Sequence, residues 1–515
     1  MDMTMVILVG GIVAIALWAQ TMLNWRVGVW LLVWYGPLMG LVVVAAANMG
    51  SSALALVSRD ILIIAPLYFS LFLFSRNQPY GRIPWQVTAA YAVFAFIVLA
   101  ACGNPGIPNI LVAIIGAKVW IGYMPLMFVG AVFVRTERDL IGVLRAMVAV
   151  SWLPFSFGLI QYIGALTIGF ETIMTLMFGD YGAIATNRFS CFDFGAPFCR
   201  IPGTFQFNSQ YGVYCVFMLF PLFMLLALER DKTWRTFTQL TIAVCFIAGF
   251  TSGARGNLLL MPACVAMIYF FRFRMKGGAQ VMFGLLGAGI VVFNFIGIDP
   301  DKAYGVTGQL GVNYGRELVV GGFADGVAKG GIFGQGTGTN TGPARYAFET
   351  TGSLQAEYGY FIENFMAKTL AELGIIGFLV LLFCFTILIL YMLQGQFQCR
   401  DPRLRDAAAT VTAMVVFTAA TSVKGWALDV DPLNFYYYLF VGFGLAVPHL
   451  DRALQYTQQA QAAAGNYATE QAAAQARYSY QGRYGRVRSA MPRYEDRGGY
   501  GQRYGRYGGR YTDGN

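Results

Sequence analysis

Two arginines stand where polar segments meet apolar runs. Arg200 opens Arg200-Ile201-Pro202-Gly203-Thr204-Phe205-Gln206-Phe207-Asn208, and Arg255 sits in Thr251-Ser252-Gly253-Ala254-Arg255-Gly256-Asn257. A guanidinium stays charged at physiological pH, and its planar fork grips phosphate oxygens two at a time. Arg255 also falls near a helix start, where unpaired backbone N–H groups favour anions. Arg316, in Asn313-Tyr314-Gly315-Arg316-Glu317, is a third candidate, although Glu317 beside it equally well solvates that stretch. The competing reading for each arginine is a cation that snorkels to an interface.

Lys118 is a separate signal. It lies about nine residues inside an apolar run, near 13 Å of rise. A charge at such depth faces a cavity or a partner. Contact with a bound anion and an internal ion pair are both open. Glu363, followed by Asn364, is the carboxylate placed to act as a general base, if desolvation raises its pKa. A glutamate favoured by a helix start would look the same. Lys368 and Glu372 are four residues apart and are expected to pair on one helix face.

These residues need elements to hold them. The chain has 515 residues, 57% hydrophobic and 12% charged, with a mean hydropathy of +0.56. Soluble domains carry roughly twice that charged fraction. A soluble enzyme, a disordered regulator and a disulfide scaffold are excluded, and an all-α polytopic membrane protein is expected. Crossing a bilayer takes about 20 apolar residues. Apolar runs predict spans near 5–23, 27–47, 60–75, 85–102, 109–134, 140–164, 207–228, 236–251, 254–271, 279–298, 364–394, 407–424 and 432–448. That is a bundle of 12 or 13 helices, the shakiest being the two short runs around Arg255. The N-terminal run reads as a first span and not a removed signal.

Basic residues set the orientation. One alternating set of loops carries Arg26; Arg76 and Arg82; Arg135, Arg138 and Arg145; Arg230, Lys232 and Arg235; Arg272, Arg274 and Lys276; and Arg400, Arg403 and Arg405. The other short loops are nearly free of them. The C-terminus is therefore expected in the cytoplasm. Two long loops, about 165–206 and 299–363, then face outward, and loops of such length are usually functional or disordered. Cys191 and Cys199 share the first, so a disulfide between them is expected if that face is oxidising.

The formal charge is +10, of which +6 falls in residues 471–515. Beyond about residue 450 the chain turns Gln/Ala-rich, a stretch able to form helix, and then repeats Arg-Tyr-Gly units such as Gly482-Arg483-Tyr484-Gly485-Arg486. With few aliphatic residues it cannot bury a core, so residues 451–515 form a separate tail that is expected to be disordered past the Gln/Ala stretch. Its partners would be anionic lipid or other polyanions.

The run Gly331-Ile332-Phe333-Gly334-Gln335-Gly336-Thr337-Gly338-Thr339-Asn340-Thr341-Gly342 lacks the Gly-Lys-Ser/Thr ending of a P-loop. It reads as a flexible loop through which backbone approaches a ligand. No His/Cys cluster has metal-ligand spacing. The outward loops are read as holding no Asp-Asp or Asp-x-Asp pair, so a metal-dependent nucleotide-sugar transferase is not expected. Neither metal nor cofactor is expected.

The 200–212, 251–257 and 333–377 segments, in that order and on one expected face, resemble the O-antigen polymerase and O-antigen ligase superfamily of integral-membrane glycosyltransferases. The resemblance covers roughly residues 100–450, and Gln161-Tyr162 in the sixth span also looks like that family. It implies a glycan leaving an undecaprenyl diphosphate at the outer face of a bacterial inner membrane and joining an acceptor hydroxyl. Arg200 and Arg255 would hold the diphosphate. Lys118, Arg316, Gln161, Asn208 and Asn364 would contact substrate, and Glu363 would activate the acceptor. The ligase branch has a histidine where this chain has Glu363, and the only histidine here is His449. The resemblance therefore favours the polymerase branch over transfer of glycan to lipid A core or protein. A chain-length regulator and a flippase of the same pathway are the partners it implies. A transporter, the reading from another class, would show inverted repeats or several charges inside its spans.

Overall fold

The computed structural model describes residues 3–48, 57–75, 78–186, 192–193, 197–254, 256–272, 280, 284, 317–344, 362–425 and 428–484. Among the described residues, six helices are long and apolar enough to cross a membrane: Trp25–Asn48, Val57–Phe74, Ile110–Phe133, Glu137–Thr167, Asn208–Leu228 and Phe365–Gln398. Shorter apolar helices span Gly11–Leu23, Trp85–Ala101 and Asn257–Arg272. Lys232–Thr251, Pro402–Thr421 and Leu433–Tyr484 are also helical. The expected span at 279–298 lies outside the described residues, apart from residues 280 and 284. Each of the others coincides with one of these helical segments.

Local chemistry explains the helix starts. Asn24, Asn109, Asp231 and Asp401 each accept a backbone N–H two residues on, and Thr136 with Asp139 makes a reciprocal capping box. Apolar side chains point both ways. Val29, Phe94, Leu219 and Tyr437 are fully buried, whereas Ile15, Phe96, Leu111 and Leu379 stand on outward faces.

The chain divides into two units, residues 1–453 and 454–515. In the second unit, helix continues to Tyr484, within the first Arg-Tyr-Gly unit. The disorder expected past the Gln/Ala stretch is therefore not found over 477–484. Ala, Gln and Arg are all good helix formers, and they extend the helix. Residues 485–515 lie outside the described residues.

The two long loops are not structureless. The first contains the helical segment Phe170–Thr186, broken at Gly179 (φ +71°), and a short antiparallel pair, Phe192–Asp193 with Pro197–Phe198. Its last part, Ile201 to Gln206, is buried. Thr204 Oγ1 donates to the Pro37 carbonyl at 2.5 Å, and a Cβ at Gly40 would sit 2.2 Å from Phe205 Cα. The loop thus dips against the middle of Trp25–Asn48. In the second loop the helix Gly322–Gly330 lies along the start of Phe365–Gln398. Gly326 and Gly330 allow that approach, since side chains there would strike the Ala367 and Leu370 carbonyls.

Contacts gather the basic connections at one end of the first unit. Arg26 pairs with Asp139 at 2.7 Å, Arg145 with Glu229 at 2.7 Å, and Arg403 with Glu137 at 2.9 Å. Arg135 donates to Gln78, and Asp451 accepts the backbone N–H of Arg400 and Asp401. These contacts join the connections that carry Arg26, Arg135, Arg145, Arg230 and Arg403, while Arg76, Arg274 and Lys276 lie outside the described residues. The other connections meet at the far end.

Candidate functional site

At the far end the sequence segments converge. Ile201 N donates to the Ser252 carbonyl at 3.0 Å. Gly253 has φ +74°, and a Cβ on it would lie 2.5 Å from the Cys199 carbonyl and 2.6 Å from Arg200 Cα. Only glycine fits that crossing. Asn257 ties the same turn to the next helix, its Nδ2 donating to the Gly212 carbonyl at 3.1 Å and to the Gly249 carbonyl at 3.2 Å. Arg200 is thereby fixed, half-buried, on the turn that carries Arg255. Arg255 itself lies outside the described residues.

The third segment joins the same cluster. Phe365 N donates to the Gly425 carbonyl at 3.3 Å, and Met366 N to the Ser422 carbonyl at 3.2 Å. The connection 422–425 also touches the second segment, because a Cβ on Gly256 would meet Lys424 Nζ at 3.8 Å. Lys424 is exposed and forms no ion pair among the described residues. Lys424 closes the expected span at 407–424, and its sequence context carries no signal of a site.

The remaining candidates fall as follows. Glu363 is exposed, one residue before the helix cap. Asn364 is buried and is the cap itself, its Oδ1 accepting Met366 N and Ala367 N at 3.0 and 3.1 Å. Gln161 is buried and clamps Gly203 from both sides, Oε1 accepting its N–H and Nε2 donating to its carbonyl, each at 2.8 Å. Asn208 is partly exposed at the first turn of Asn208–Leu228. Cys199 is disulfide-bonded, while Cys191 and Arg316 lie outside the described residues.

Lys118 takes the internal alternative, since its Nζ pairs with Asp60 Oδ2. Asp60 also holds Arg59 at 3.2 Å, and Arg59 reaches Asp431 at 2.7 Å. The Arg59 guanidinium is 1% exposed, packs over Tyr123 and Phe435, and donates to Tyr123. Asp60 begins a wide turn in which Ala65 N–H returns to its own carbonyl, five residues back. Such turns often accompany function.

Lys368 and Glu372 do not pair with each other. Lys368 is fully buried, pairs with Asp429, and stands 4.6 Å over the Trp120 ring. Glu372 instead accepts four hydrogen bonds. Gly338 N and Trp120 Nε1 reach Oε2 at 2.9 and 2.7 Å, while Asn340 N and Thr341 Oγ1 reach Oε1 at 2.8 and 2.9 Å. The glycine run is accordingly not a flexible loop. Thr337, Thr339, Asn340 and Thr341 are buried, and Thr337 Oγ1 donates to the Val98 carbonyl. A buried carboxylate must be satisfied, and this one takes the N–H groups the run offers.

Asp429-Val430-Asp431 is an Asp-x-Asp pair at the far end, contrary to the expectation that the loops there hold none. Each carboxylate is committed to a cation, Lys368 or Arg59. Asp429 Oδ1 and Asn340 Nδ2 nevertheless remain buried without a hydrogen-bond partner among the described residues.

A scan of the chain against protein-family models gives no match, and a search of curated proteins gives none either.

Proposed function

We propose that this chain is a metal-independent membrane glycosyltransferase that polymerises polyprenyl-diphosphate-linked oligosaccharides. It would act at the outer face of a bacterial inner membrane, with its C-terminus in the cytoplasm. One observation carries the reading: the Arg200 loop and the turn bearing Arg255 are locked together beside Lys424 and the Glu363–Asn364 helix start. Such a cluster offers cations to a departing diphosphate and a carboxylate to an acceptor hydroxyl. The apolar outward faces and the six long helices support placement in a bilayer, where the lipid of the donor would also reside.

The test is reconstitution in vesicles with lipid-linked repeat units, read as a product ladder. Arg200→Ala and Arg255→Ala should abolish long products without changing protein level. Arg200→Lys should also fail if two-pronged contact matters. An unchanged ladder in these variants would reject the proposal.

Translocation of a lipid-linked glycan is the second reading, favoured by the ionisable residues packed between helices, Arg59, Asp60, Lys118, Lys368 and Asp429. Movement of labelled substrate across the vesicle wall without polymer formation would select it.

A further inference from the structure

The basic end contains a cleft of about 210 Å³. Arg82, Tyr391, Gln394, Gln398, His449 and Arg452 supply its polar side chains, and no Asp or Glu lines it. Arg82 uses Nη1 on the carbonyls of Ala131, at 3.0 Å, and Val134. Arg452 donates from Nη2 to Gln398 Oε1 at 3.0 Å. Neither arginine forms an ion pair among the described residues. The neighbouring Asp451 does not neutralise them, because its carboxylate is turned to the backbone N–H of Arg400 and Asp401. Arg135 adds positive charge to the field at Arg82, and the Asp139 carboxylate opposes it without reaching Arg82 as an ion pair.

The walls are apolar. Pro84, Met392, Leu445 and Pro448 line the cleft. Trp85, Leu390 and Phe397, each adjacent in sequence to a lining residue or within one turn of one, are 73%, 59% and 64% exposed. A site whose two rim guanidinium groups form no direct ion pair among the described residues, with an apolar surround, matches an amphiphile with a phosphate head.

We propose that this cleft binds the phosphate of an anionic phospholipid head group, with Arg82 and Arg452 on its oxygens and the acyl chains along the exposed apolar surface. The chemistry is phosphate recognition, and the apolar surround selects lipid over free phosphate. The site is separate from the far-end cluster, so it stands or falls independently of glycan transfer.

Native mass spectrometry of the full chain in detergent tests this. Phosphatidylglycerol should remain as a retained adduct, and phosphatidylcholine should not. Arg452→Gln, at an exposed residue that anchors no helix end, should weaken retention by about tenfold, one charged contact's worth. Millimolar inorganic phosphate should not displace the lipid. Equal retention of both lipids, undiminished retention in Arg452→Gln, or displacement by inorganic phosphate would each overturn the proposal. Arg452→Lys should retain the lipid better than Arg452→Gln, and equal loss in both would also count against it.

Discussion

Trp120 Nε1 donates to Glu372 Oε2 at 2.7 Å, joining the helix Ile110–Phe133 to Phe365–Gln398. The same carboxylate holds the backbone of Gly338 and Asn340. Glu372→Gln would turn an amide N–H₂ toward groups that are themselves donors. The expected cost is about 3 kcal/mol, by loss of charge-assisted bonds. The variant should melt earlier, and a cysteine placed at Thr339 should become open to labelling.

Asp60 serves two cations. Asp60→Asn strips Lys118 of its counter-ion and leaves Arg59 with Asp431 alone. Lys118 is 31% exposed and Arg59 keeps Asp431, so the cost falls below that of stranding a fully buried charge, at about 1–3 kcal/mol. Adding Lys118→Met should recover part of that loss. A double-mutant cycle on thermal unfolding measures the recovery, and strict additivity would show that the two residues do not interact.

Gly253→Ala should disable the far-end cluster without touching an arginine. The new methyl would overlap the Cys199 carbonyl at 2.5 Å, in a backbone conformation that L-residues avoid. Arg200 must shift. Product chain length should fall as it does in Arg200→Ala, while Gly425→Ala, which meets nothing nearby, should leave it unchanged.

Glu229 gives a pH prediction. Burial opposes its ionisation, but the Arg145 guanidinium and the N–H groups of Arg230 and Asp231 hold its carboxyl below the usual glutamate value. A depressed carboxyl contributes stability that is fully present above the unfolded value and is lost as pH falls through the folded one. Thermal midpoints should therefore drop on acidification below about pH 4.5, near the ordinary glutamate range. Glu229→Gln should lower the midpoint near neutrality and flatten that acid slope.

Hydropathy made the helices legible, because twenty apolar residues announce themselves without any partner. It also hid Arg59 and Asp60. Adjacent opposite charges at the edge of an apolar run look like a loop, and Asp431, which buries them, is 372 positions away in the chain. Lys368 and Glu372 show the same limit. Their spacing suggests a mutual pair, but each finds a better partner through the tertiary fold. Glycine richness suggested slack in the 331–342 run, whereas the positive φ of Gly334, Gly336 and Gly338 lets that run press against neighbouring backbone. The Arg200 and Arg255 segments were legible as motifs, but only the packed chain brings Lys424 beside them.

The bond between Arg59 and Asp431 also orders events during synthesis. A ribosome must add more than 370 residues after Arg59 before its second carboxylate exists. Until then Asp60 is the one carboxylate paired with that guanidinium among the described residues, and Asp60 is shared with Lys118. Nascent chains that stop short of the last connection should therefore be the ones that quality-control proteases remove, however well their first helices have inserted.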